Sequence, residues 1–91
     1  MSWQSFTIRP PDTASAVGEQ LARQFELARA IHLPLAREVA VFRRERDDEV
    51  RFYFSAAAVE LFKTLVQFHG ARRCRKPVQG HHMVRLGPPA E

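Results

Sequence analysis

Five consecutive residues, Arg72-Arg73-Cys74-Arg75-Lys76, concentrate the reactive chemistry of this 91-residue chain. Four cations can hold phosphate groups by point charge and by bidentate guanidinium contacts. They also favour the thiolate of Cys74, which makes it a candidate reactive thiol. Cys74 is the sole cysteine, so the chain has no internal disulfide and no dithiol couple. A nucleophilic Cys74 would need an oriented histidine, from His69, His81 or His82. Short basic runs also serve as solubilising loops, so charge alone does not select a ligand.

His69, Cys74, His81 and His82 are residue types that ligate metals. Zinc sites pair their ligands at short regular spacings such as C-x-x-C, and the spacing here is irregular. His81 and His82 are adjacent, so on a strand they point to opposite faces and cannot chelate one ion. The expectation is no metal and no cofactor. The chain also has no Gly-rich phosphate loop, HExxH, GxSxG or paired-carboxylate pattern, which argues against an enzyme.

A second constellation comes from strand alternation. Val50, Phe52 and Phe54 alternate with Arg51, Tyr53 and Ser55, the period-2 pattern of a strand with one face buried. Phe6 and Ile8 alternate likewise with Ser5, Thr7 and Arg9. If the phenylalanines face a core, then Trp3, Arg51 and Tyr53 face outward with Ser5, Thr7 and Arg9. An open sheet face with arginines and a tyrosine is how RNA-recognition domains stack bases. Their third-strand signature includes a glycine, absent from Arg51-Phe52-Tyr53-Phe54-Ser55, so the likeness stops at the fold. An exposed Trp or Tyr is equally at home in a protein interface.

The charge is unevenly placed. The net charge is +4 and the pI about 10.2. Through His69 the chain carries nine Lys/Arg and nine acids; from Gly70 onward five cations stand against Glu91 alone. The whole excess therefore lies in the last quarter, where an anionic partner would be drawn. No apolar run reaches membrane-spanning length, and MSWQSFTIRPP lacks the layout of a signal peptide. With a single cysteine, these features point to a cytoplasmic protein without membrane contact.

The elements that must position these residues follow from periodicity. Trp3–Ile8 reads as a first strand, ended by Pro10-Pro11, since proline cannot donate to a ladder. After a cap at Asp12 or Thr13, Val17, Leu21, Phe25, Ala28 and Ile31 step at helical spacing, and Pro34 ends that helix. Val39–Phe42 forms a second strand, Arg43–Asp48 a charged connection, and Val50–Phe54 a third strand, paired as an antiparallel hairpin. Ser55 caps a second helix, whose stripe runs through Ala58, Leu61, Phe62, Leu65, Val66 and His69. Gly70 is placed to close it in the left-handed conformation. Met83–Leu86 is a candidate fourth strand, Ala71–Cys74 a weaker one, and Gly87-Pro88-Pro89 a free end.

This order predicts one α+β domain over residues 1–91, with 71–91 a basic, partly irregular segment. Its architecture is a ferredoxin-like β-α-β-β-α-(β) two-layer sandwich: an antiparallel sheet with two helices on one face. The functional expectation is a non-enzymatic binding or interaction module, homodimeric through its open sheet face. Trp3 and Tyr53 would serve that dimer contact; the alternative is a nucleic-acid or other polyanion-binding protein using Arg72, Arg73, Arg75 and Lys76, with Arg51 and Tyr53 contributing.

Overall fold

Ser55 is the joint on which the sheet and helices turn. In the computed structural model, which describes residues 3–9, 13–30, 39–46, 49–78, 80 and 82–86, its backbone is extended (φ −66°, ψ 166°) and its hydroxyl accepts from Ala58 N–H at 3.2 Å. That is the expected N-cap. The same oxygen accepts from Ala40 N–H at 3.0 Å, and Ser55 N–H donates to the Ala40 carbonyl at 2.9 Å. One buried serine thus ties the entry to a strand to the start of a helix.

The described elements run β1 (Trp3–Ile8), α1 (Thr13–Ala30), β2 (Val41–Arg46), β3 (Glu49–Phe54), α2 (Ala56–Leu61), α3 (Lys63–Phe68), β4 (Arg72–Cys74) and β5 (Met83–Leu86). The strands form one five-stranded sheet in the order β4-β1-β3-β2-β5, with every neighbouring pair antiparallel. The fold class is α+β. None of the described helices is long and apolar enough to cross a membrane.

One face of the sheet is the core. Phe6 and Ile8 from β1, Val41 from β2, and Val50, Phe52 and Phe54 from β3 pack with Val17, Leu21 and Phe25 of α1. Ala58, Phe62 and Val66, from the second helical segment, complete the cluster. The rings interlock: Phe6 lies 5.5 Å from both Phe52 and Phe54, while Phe62 sits edge-on to Phe25 at 5.0 Å and to Phe54 at 5.9 Å. Offset and edge-on pairs of this kind add to the gain from burial.

The structure revises three sequence expectations. First, β2 does not stop at Phe42. It begins at Val41 and runs through the charged residues to Arg46, each paired with β3 in the register Arg43↔Phe52 to Arg46↔Glu49. Backbone ladder bonds and flanking strands on both sides outweigh the turn-like composition of this stretch. Second, the helix after Ser55 is divided at Phe62 (φ −108°, ψ 31°). Hydrogen bonds still bridge the break, from Phe62 N–H to Ala58 and from Val66 N–H to Phe62, so it is a distortion within one rod. It coincides with the ring clamped between Phe25 and Phe54. Third, both C-terminal candidates are strands, on opposite edges: β4 pairs with β1, and β5 with β2.

Gly70 meets expectation with φ +65°. Gly70 N–H donates to Gln67 and Ala71 N–H to Val66, the paired bonds of a Schellman cap. The predicted features at Pro10, Pro11, Asp12, Ile31, Pro34, Asp47, Asp48, His81 and 87–91 lie outside the described residues.

Candidate binding face

Directly opposed residues in antiparallel strands share a face, so the register sorts every side chain of the sheet. The face away from the helices carries three rows. Trp3 opposes Cys74. Arg72, Ser5, Tyr53, Phe42 and Arg85 form the next row across all five strands. Thr7, Arg51, Arg44 and Met83 form the third. Below them Glu49 opposes Arg46, with Arg9 beside it at 3.8 Å.

A small aromatic island occupies the middle. Ala40, Phe42 and Tyr53 are buried, with half-buried Trp3, Cys74 and Met83 packed against them. Trp3 stacks on Phe42 at 5.9 Å between ring centroids, and the Arg44 guanidinium carbon lies 5.5 Å over the Tyr53 ring. This cover explains why Tyr53, though outward-facing as expected, is only 5 % exposed. Trp3 is the aromatic of the island that retains partial exposure.

Cations surround the island. Arg9, Arg44, Arg46, Arg51, Arg72 and Arg85 belong to this face, against Glu49 as its one carboxylate among the described residues. Among the described residues only Arg9 of the six is ion-paired. Arg51 Nε donates to Thr7 Oγ1 at 3.0 Å. Arg44 Nε is buried and has no hydrogen-bond partner among the described groups. Arg43, one residue earlier, faces the helix side; its guanidinium lies 3.6 Å from Glu45, while its Nε is likewise unpartnered.

The basic run of the sequence is split by strand geometry. Arg72 and Cys74 share the open face with Trp3, Arg51 and Tyr53, whereas Arg73 opposes Gln4 on the helix side. Arg75 and Lys76 are exposed beyond the end of β4. Cys74 is half-buried against the aromatic island. His69 stacks on Phe6 at 4.6 Å on the helix side, so the sheet separates it from Cys74. Burial holds the His69 pKa below its ordinary value. No cluster of three metal-ligating side chains occurs among the described residues.

Sequence reasoning missed Phe42, Arg44, Met83 and Arg85 as members of this face. The parity of Arg44 becomes readable only when β2 is extended past Phe42. The chain matches no protein-family model, and comparison with curated proteins and with solved structures returned no match. The geometry of this face is therefore the basis for a functional reading.

On the helix side, a groove of about 440 Å³ runs between α1 and α3. Gln20, Arg23, Gln24, Leu27, Thr64, Leu65 and Phe68 line it. Leu27 and Phe68 are 60 % and 83 % exposed there. It is mostly apolar and holds no converging charges.

Proposed function

We propose that this protein is a small non-enzymatic binding module whose uncovered sheet face receives single-stranded nucleic acid. One observation carries the reading: among the described residues, six arginines and one carboxylate surround an aromatic island whose Trp3 ring stays partly exposed, on a single sheet face. Guanidinium groups neutralise phosphates and aromatic rings take up bases, and single strands bind where the two are interleaved. A duplex is a poorer match, because its major groove admits a helix or a two-stranded ribbon rather than a five-stranded sheet. A second copy of the chain is also a weaker occupant of this face. A two-fold contact through it would bring arginines against arginines, and like-charge juxtaposition is costly.

The proposed architecture is a ferredoxin-like unit formed by β1 to β4 and the helices, extended by β5 at one edge. Its support is that β3 lies between β1 and β2, while β1 lies between β3 and β4, the split arrangement of that motif. We place the protein in the cytoplasm, where the free thiol of Cys74 stays reduced.

Fluorescence anisotropy with labelled single- and double-stranded oligonucleotides tests the reading. Five unpaired arginines on the face predict a log–log salt slope of about −3.5, at ~0.7 per single-strand phosphate contacted. Tight binding to single strands should be lost in the triple variant Arg51→Gln, Arg72→Gln, Arg85→Gln. Absence of binding at roughly 50 mM salt, where electrostatic attraction is strong, would overturn the proposal.

A further inference from the structure

Arg44 and Arg51 are directly opposed on β2 and β3. Like charges in that position repel, at the short cross-strand separation of about 5 Å between Cβ atoms. No carboxylate among the described residues lies within ion-pair distance of either. Each guanidinium is nevertheless held in place: Arg51 by its Nε bond to Thr7 Oγ1, and Arg44 by its position over Tyr53. Arg44 Nε is buried without a partner, and an orphaned buried donor in a native fold calls for an explanation.

We propose that Arg44 and Arg51 form a discrete phosphate seat on the open face. This deepens, and in its nucleic-acid form rests on, the single-strand reading above. A phosphodiester presents two free oxygens with delocalised charge, so it can accept from both forks at once. Bound there, it separates the two cations, and the buried Arg44 Nε reaches it only when the guanidinium lifts from the Tyr53 ring. Trp3 lies four residues along β1 from Thr7, about 13 Å at strand rise. The phosphate in the seat and the base on Trp3 therefore belong to different nucleotides. An oligonucleotide engages both, and a mononucleotide engages one.

The test uses the full chain with inorganic phosphate and a labelled oligothymidine as probes. Arginine Nε–H resonances are followed through a phosphate titration and assigned with Arg44→Lys and Arg51→Lys. The expected result is that the Arg44 and Arg51 signals move well before those of Arg72 and Arg85. Arg44→Lys keeps the charge but removes the fork, so oligothymidine binding should weaken roughly tenfold with the salt slope retained. Thermal melts confirm that both lysine variants are folded.

The failures separate cleanly. Salt-steep oligothymidine binding that is unchanged in both lysine variants removes the seat and leaves the face reading intact. Equal phosphate shifts at all four arginines also remove the seat, leaving a diffuse basic field. Selective shifts at Arg44 and Arg51, in a protein that binds no oligothymidine, uphold the seat and remove the nucleic-acid reading.

Discussion

Phe52 and Arg51 are neighbours in β3, yet they belong to regions with different work. Phe52 is fully buried among Phe6, Phe54 and the helices; Arg51 opposes Arg44 on the far side, with no carboxylate among the described residues within ion-pair distance of either. The covered face is apolar at its centre, where α1, α2 and α3 pack on it, and polar at its margins, with Gln4 opposite Arg73 and Arg43 beside Glu45. The open face mixes an aromatic island with cations that repel one another. Among the described residues Glu49 is the one acid placed among those arginines, paired with Arg9, whereas opposite charges across a sheet would be the more stabilising arrangement.

The sharpest way to break this contrast is to cut the covered face. Phe52→Ala removes a ring that touches the centre of the core, and large-to-small changes of this kind cost about 3–5 kcal/mol. Small domains have roughly 5–15 kcal/mol in total, so Phe52→Ala should shift urea unfolding to far lower denaturant or abolish the transition. A transition close to wild type would mean that the ring network is not the core.

Ser55→Ala attacks the seam between the two regions. The hydroxyl accepts from Ala40, whose side chain belongs to the open-face island, and from Ala58, which belongs to the core. Its loss leaves two amides short of an acceptor in a buried setting. The expected destabilisation is about 1–3 kcal/mol, larger than for an exposed cap. Ser55→Thr retains the hydroxyl and should recover part of it, and equal melting of the alanine and threonine variants would count against the double bond.

Much of the covered face was legible in the sequence, for reasons these residues illustrate. Alternation around Phe52 and Phe54, the stripe from Ala58 to Val66, the cap at Ser55 and the closure at Gly70 are all local patterns. The open face was only half legible. Arg43 to Arg46 have the composition of a turn, and only pairing with β3 makes them strand. β4 and β5 are three and four residues long, too short for propensity to decide, and their neighbours in the sheet hold them. The run from Arg72 to Lys76 looked like one site until its register against β1 put Arg72 and Arg73 on opposite faces. The distortion at Phe62 has no local signal, since neither proline nor glycine marks it.

A smaller effect sharpens the comparison from the other direction. Arg44→Thr removes a like-charge opposition and a buried unpartnered donor, and threonine suits a strand. The ligand-free protein should gain about 0.5 kcal/mol while oligothymidine binding falls, the trade-off expected where a site is held at the expense of stability. The gain should shrink as salt screens the repulsion. Loss of stability in this variant would show that Arg44 serves the fold and would weaken the distinction between the faces.

The smallest effect is a pH dependence that acts through the covered face. His69 stacks on Phe6, and burial lowers its pKa below the reference value of 6.5. Well above that value the ring is neutral in folded and unfolded chains alike, so it adds no pH dependence. As pH falls through 6.5 the unfolded chain takes up the proton first, and the folded state loses stability relative to it until the lowered folded pKa is passed. The melting temperature should therefore drop between about pH 7.5 and 5.5, the range in which histidine changes charge. His69→Gln should flatten part of that drop. Mild acid should thus loosen the covered face. Parallel melting curves for wild type and His69→Gln across this range would place the acid sensitivity elsewhere and detach His69 from the core.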